Sequence, residues 1–173
     1  MDATALRALQ APLKQKYRDN PDSARIGARA EVVLDLSQIA ARLPGDALRV
    51  AGLHQAAGGT GRHACSADML LEALAACAGV TLMAVATSLG CELAGGRVVA
   101  EGVWDARGTL GVDKAAPVGM QDINISFYLE GNLDEPTQQR LIQLTERYCV
   151  VLATLRHPPA ISVSVHVPSS PQT

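Results

Sequence analysis

Aromatic side chains are scarce: one Trp, three Tyr and one Phe stand among 173 residues. A core so poor in rings must be filled by Ala, Val, Leu and Ile, which favours close-packed helices and β-branched strands. Charge is also sparse. Apolar residues make up 48% of the chain and charged ones 18%, a balance that excludes a disordered or solvating polymer. A net charge of -2 leaves no concentrated basic face, so no nucleic-acid partner is expected. The one basic cluster, Lys14, Lys16 and Arg18, is followed by Asp19 and Asp22 and reads as a solvated segment.

No CxxC pair occurs, and the four histidines stand singly. His63 and Cys65 lie close together, but a structural zinc site needs a second closely spaced ligand pair, so neither metal nor any other cofactor is expected. MDATALRALQAPLKQKYRDN has no apolar leader segment. A cytoplasmic, reducing location is therefore expected, with Cys65, Cys77, Cys91 and Cys149 as free thiols or a redox pair rather than a disulfide framework.

Long apolar runs are absent but for one. Between Met69 and Leu89 the only charge is Glu72, and the length approaches that of a bilayer span. The run is rich in Ala and includes Thr81, Thr87 and Ser88, and a helix apolar on all sides also suits the middle of a soluble core. The buried helix is the expected reading, with no membrane partner. One small sheet and one other long helix hardly cover every face of it, so an obligate homodimer is expected.

No repeat or long linker divides the chain, so residues 1–173 read as one domain with 1–20 as an N-terminal helical extension. Residues 2–18 space Leu6, Leu9 and Leu13 helically, with a break expected near Pro12, and Asn20-Pro21-Asp22 makes a turn. Strands are expected over 24–36, 46–57, 97–108, 120–130 and 161–167; Ile123, Ile125, Phe127 and Leu129 share one face of the fourth. Gly58-Gly59-Thr60-Gly61 reads as a flexible loop. A helix capped by Ser66 and closed by Gly90 carries Cys77, and another opens at Asp134-Glu135-Pro136 and carries Cys149 before His157-Pro158-Pro159 stops it. Strands and helices mix without βαβ regularity, which argues for an α+β fold with a mainly antiparallel sheet around a long buried central helix.

A buried cysteine is usually an inert small hydrophobe. Reactivity needs a depressed pKa, from a helix N-terminus or a cation. Cys77 lies about 16 Å into its helix, beyond the dipole's reach. A cation from elsewhere in the fold is therefore required, and Arg25, Arg29 and Arg107 are the candidates. Asp68 would orient such an arginine.

SADMLLEALAACAGVTL resembles the central-helix signature of the OsmC/Ohr family, and TERYCVVLATL resembles that family's second cysteine helix. The element order agrees over most of the chain beyond residue 20. The resemblance implies an OsmC-like fold in an intertwined homodimer with active sites at the interface. It implies that Cys77 is the peroxidatic cysteine, attacking a small or organic hydroperoxide, and that Cys149 resolves the sulfenic acid to a disulfide reopened by a dithiol reductant. The family's hydroperoxide reductases carry Glu ten positions before the reactive cysteine and Pro directly after the second; this chain has Ala67, followed by Asp68, and Val150. Cys65 and Cys91 read as structural. The competing reading is a non-catalytic dimer that binds a small apolar ligand at its interface.

Overall fold

The computed structural model describes residues 3–35, 40–42 and 51–165. Helix α1 (Ala3–Asp19) runs through Pro12 without interruption, contrary to the expected break. It docks through the buried Tyr17, whose hydroxyl donates to the Ala56 carbonyl at 2.6 Å. A 3-10 turn at Pro21–Ala24 leads into β1 (Arg25–Asp35), followed by β2 (Ala40–Arg42). After the short β3 (Ala51–Gly52) and β4 (Ala64–Cys65) comes the long α2 (Ser66–Leu89). Then follow β5 (Gly95–Asp105), the single-turn α3 (Ala106–Thr109), β6 (Gln121–Glu130), α4 (Glu135–Tyr148) and α5 (Val150–Arg156).

The main sheet has the order β2-β1-β5-β6 and is antiparallel throughout; β3 and β4 form a separate two-residue parallel pair. The fold is thus α+β, as the mixed order of elements implied. Alternation along β6 turns Ile123, Ile125, Phe127 and Leu129 to the core, beside Val98 and Ala100 of β5. α2 lies across β1 and β5 and is flanked by α4 and α5. By length and composition alone α2 is long and apolar enough to cross a membrane, with a mean hydropathy of 2.0, a test that the core helix of a soluble protein also passes. In the fold its Leu71, Leu74 and Leu82 are fully buried, each contributing about 1.5–3 kcal/mol by leaving water.

Four expectations are corrected. The strand expected over 46–57 survives only as Ala51–Gly52, with 46–50 outside the described residues. Its end is instead a 3-10 turn, Gln55–Ala57, because the His54 side chain accepts the Ala56 N–H and Gly58 closes the turn at φ 93°. The strand expected over 97–108 stops at Asp105, whose carboxylate accepts the Arg107 N–H at 2.9 Å and caps α3. Arg107 therefore stands on a helical turn. The helix carrying Cys149 is not continuous but breaks at that residue. Finally, residues 161–165 form no strand; 166 and 167 lie outside the described residues. Ile161, Val163 and Val165 are 84, 88 and 83% exposed, and among the described residues no strand pairs with them. A strand needs a partner's N–H and C=O groups, which a local pattern cannot supply.

The glycine-rich loop is shaped by contact rather than by freedom. A Cβ on Gly59 would stand 1.6 Å from the Leu53 carbonyl oxygen, so the two backbone segments can approach only with glycine there. Gly59→Ala is expected to cost more than about 1 kcal/mol. Gly119→Ala, where a Cβ meets nothing within 4 Å, serves as the control. Urea titration of both variants measures the difference, and equal midpoints would contradict the packing argument.

Candidate active site

Cys77 sits in the middle of α2, half-buried, and faces the junction of α4 and α5. The local chain explains that junction. Cys149 has φ -70° and ψ 106°, an extended conformation that ends α4, while its own N–H still donates to the Thr145 carbonyl at 2.9 Å. α5 starts afresh at Val150. The first N–H groups of any helix have no partner within it. Had α4 run on, the N–H groups of Val150 and Val151 would have bonded to Glu146 and Arg147; the break releases both. Released, they reach the Cys77 sulfur.

Burial pushes the Cys77 thiol up, yet hydrogen bonds that favour its thiolate outweigh that cost. The Val151 N–H, the Cys149 thiol, the Val150 N–H and the Thr81 hydroxyl together hold Cys77 below the ordinary cysteine value. Cys149 is driven the other way. It is fully buried, and burial, together with its bond to the Cys77 sulfur and the charge there, pushes it up to about 11. The pair is thus divided: Cys77 is the sulfur that ionises the more readily, and Cys149 is the thiol that donates to it. Both cysteines are free, with no disulfide between them.

The structure brings Cys77 and Cys149 together as the sequence suggested, but not the other three expected residues. Arg107 is bound to Asp105 by both carboxylate oxygens, the shortest contact being 2.7 Å from Nη2, and to Asp113 at 3.7 Å. Its hydrogen bonds hold the buried Asp105 carboxyl below the usual carboxylate range. Arg25, at the start of β1, pairs with Asp122 at 3.5 Å, with both side chains exposed. Asp68 stands nine residues before Cys77, about 13 Å along the helix axis. Its carboxyl is raised by burial, with His54 opposing and Glu72 adding to the rise. The Arg29 side chain lies outside the described part of the structure. Among the described residues, the groups that depress Cys77 are neutral donors rather than a cation.

Thr81 was open to discovery, since it lies four residues after Cys77 and therefore on the same helical face. The backbone donors were not, because Leu141, Leu144, Tyr148, Val151, Leu152 and Leu155 read in the sequence as one apolar stripe of a single helix. One hint existed in the position after the second cysteine. Val150 is the first residue of α5, the helical position that best tolerates proline, and proline is what the similar reductases carry there.

A family model described as OsmC-like protein matches residues 59–164. Among solved structures, an OsmC-like hydroperoxide resistance protein from Jannaschia sp. CCS1 superposes with a TM-score of 0.59. It is 17% identical, over 85% of this chain and 97% of that one, a likeness of fold. No curated protein matches the sequence significantly.

The divided thiol pair makes a direct prediction. The rate of Cys77 alkylation by iodoacetamide should rise with pH around an inflection lower than that of an ordinary cysteine, while Cys149 stays unreactive until near 11. Removing a donor with Thr81→Val or Cys149→Ala should move the Cys77 inflection to higher pH. Peptide-resolved mass spectrometry follows each site; a Cys77 inflection unmoved by both substitutions would contradict the donor assignment.

Proposed function

The chain belongs to the OsmC-like protein family, and on that footing we propose that it is a thiol-dependent reductase of organic hydroperoxides. The observation that carries this reading is the hydrogen-bonded pair in which Cys77 is held below the ordinary cysteine value and Cys149 is pushed well above it. The two states match the two roles a peroxidase cycle requires. Cys77 attacks the distal peroxide oxygen, the O–O bond breaks, and the alkoxide leaves and is protonated to the alcohol. Cys77 now carries a sulfenic acid. Cys149 attacks its sulfur, loses its proton to the departing hydroxide, and the products are the Cys77–Cys149 disulfide and water. A dithiol then returns both cysteines to thiols and is itself oxidised to a disulfide.

Each donor to Cys77 has a part in the first step. The Val150 and Val151 N–H groups are fixed by the backbone of α5, so they need no rearrangement to hold the thiolate. The Cys149 proton, retained up to about pH 11, keeps the second sulfur from competing for peroxide. Its contact with Cys77 also shortens the life of the sulfenic acid, which limits over-oxidation. The rim favours an organic substrate over hydrogen peroxide, since Val80, Tyr148 and Val150 are exposed apolar side chains beside the pair.

The same exposed groups support a homodimer as the working form. The face of α2 left open by the sheet carries Leu70 and Val80, and the tail carries Ile161, Val163 and Val165 at alternate positions. A second copy offers both faces what they lack: an apolar surface for α2 and a strand edge for the tail. Light scattering at micromolar concentration should then give twice the monomer mass of 18.1 kDa. A mass near 18.1 kDa that stays monomeric on concentration would remove the dimer from the reading.

Turnover of cumene hydroperoxide with dithiothreitol, set against hydrogen peroxide, tests the activity. Cys77→Ser should lower the rate by at least about 100-fold, because a serine hydroxyl is not ionised at neutral pH. Cys149→Ser should allow one oxidation but stop recycling, leaving Cys77 as sulfinic or sulfonic acid in the mass spectrum. Equal turnover by wild type and Cys77→Ser would refute the assignment.

A further inference from the structure

The break at Cys149 is bridged by an ion pair. Glu146 stands in the last turn of α4, and Arg156 is the final residue of α5. Arg156 Nη1 donates to Glu146 Oε2 at 3.1 Å, although the two lie 10 residues apart in sequence. On one continuous helix that separation would be about 15 Å along the axis, beyond the combined reach of the side chains. The contact exists because the chain turns between them.

The two helices need such a tie. α5 has 7 residues, and a helix shorter than about 12 is marginal in water without outside support. Its support from the core is one-sided: Leu152 is buried, and Val151 and Leu155 pack partly against the same cluster. Apolar contact is non-directional, so it seats a two-turn helix without fixing its tilt. The N-terminal end of α5 hangs on one extended residue, Cys149. The ion pair adds a directional hold at the other end. The helix dipoles point to the same pairing. A carboxylate in the last turn of α4 faces the negative end of that helix, an unfavourable place that the Arg156 guanidinium offsets.

We propose that Glu146 and Arg156 are positioning residues for the reactive cysteine: their ion pair across the break fixes the tilt of α5 and keeps the Val150 and Val151 N–H groups aimed at the Cys77 sulfur. This role rests on the reading of Cys77 as the reacting sulfur, yet it acts on that sulfur's ionisation, which is measured without peroxide. The groups that shift Cys77 come from α2, as Thr81, and from the α4–α5 junction, as Cys149, Val150 and Val151; no charged side chain is among them. A direct effect of the two charges would carry a different signature. Acting through space, Arg156 would lower the Cys77 pKa and Glu146 would raise it, so removing Glu146 would lower it. Removing either half of a tie instead raises it, because both losses release α5.

The test is the pH dependence of Cys77 alkylation by iodoacetamide, resolved by peptide mass spectrometry, in Glu146→Met, Arg156→Met and the double variant. Methionine keeps an aliphatic stem and removes the charge. Both side chains are well exposed, at 40 and 51%, where substitution leaves a fold intact, and circular dichroism checks that it does. Each single variant should raise the Cys77 inflection by about 0.2–0.7 pH units, the range an exposed ion pair can transmit. The double variant should raise it no further than the larger single shift, as one shared contact requires. Amide exchange at Val150 and Val151 should quicken in all three variants relative to Leu141. A Glu146→Met inflection that falls or stays at the wild-type value, shifts that add in the double variant, or unchanged exchange at the two amides would each overturn the proposal. None of these outcomes depends on whether the protein turns over cumene hydroperoxide.

Discussion

The break at Cys149 is the constraint on which the candidate site depends. A continuous helix from Glu135 to Arg156 would have consumed the N–H groups of Val150 and Val151 in its own ladder and left Cys77 facing carbonyls and side chains. One extended residue redirects two backbone donors onto a sulfur of another helix. Because those donors are backbone groups, their direction is set by the start of α5 and not by rotamers. The depressed Cys77 and the raised Cys149 share that geometry: one sulfur whose donors outweigh its burial, beside one whose burial outweighs the N–H groups of Leu152 and Val151.

The sheet supports the junction. Its buried face holds α2 through Leu71, Leu74 and Leu82, and α2 in turn fixes where Cys77 meets α4 and α5. Thr145 shows how closely α4 is seated. It is fully buried, and its hydroxyl donates back to the Leu141 carbonyl at 2.8 Å one turn before the break. The other end of α2 has a different character. There the loop at Gly59 packs on the Leu53 and His54 carbonyls, and Ser66 and Ala67 of the helix start line a cleft of about 340 Å³.

Much of this architecture was legible in the residues. Alternation in Gln121–Glu130 and the Asp134 cap with Pro136 in the first turn are local patterns, and the structure realises them where they occur. The cysteine pairing was legible as well, through the likeness of two segments to one family rather than through spacing. Less legible were the short elements. Asp105 ends β5 because its carboxylate caps the next turn, a competition between side chain and ladder that composition does not rank. Cys65 replaced Ser66 as the N-cap, a shift of one residue that leaves the helix start open to the cleft.

The arginine expected beside Cys77 shows the boundary most clearly. The need for a depressed pKa follows from the chemistry of a thiol, and the sequence excluded the dipole of the helix that carries it. What the sequence did not contain was a second helix starting opposite, since the donors are N–H groups that every residue but proline possesses. Which of them are free is decided by where a helix stops. By itself, then, the sequence determined the α+β class, the central apolar helix and the two cysteines. Periodicity and residue type specify these within a single segment. Only the tertiary structure decided which groups lower the Cys77 pKa, where Arg25 and Arg107 are spent, and that Ile161, Val163 and Val165 find no partner strand among the described residues. Each of these depends on groups far apart in sequence meeting in space.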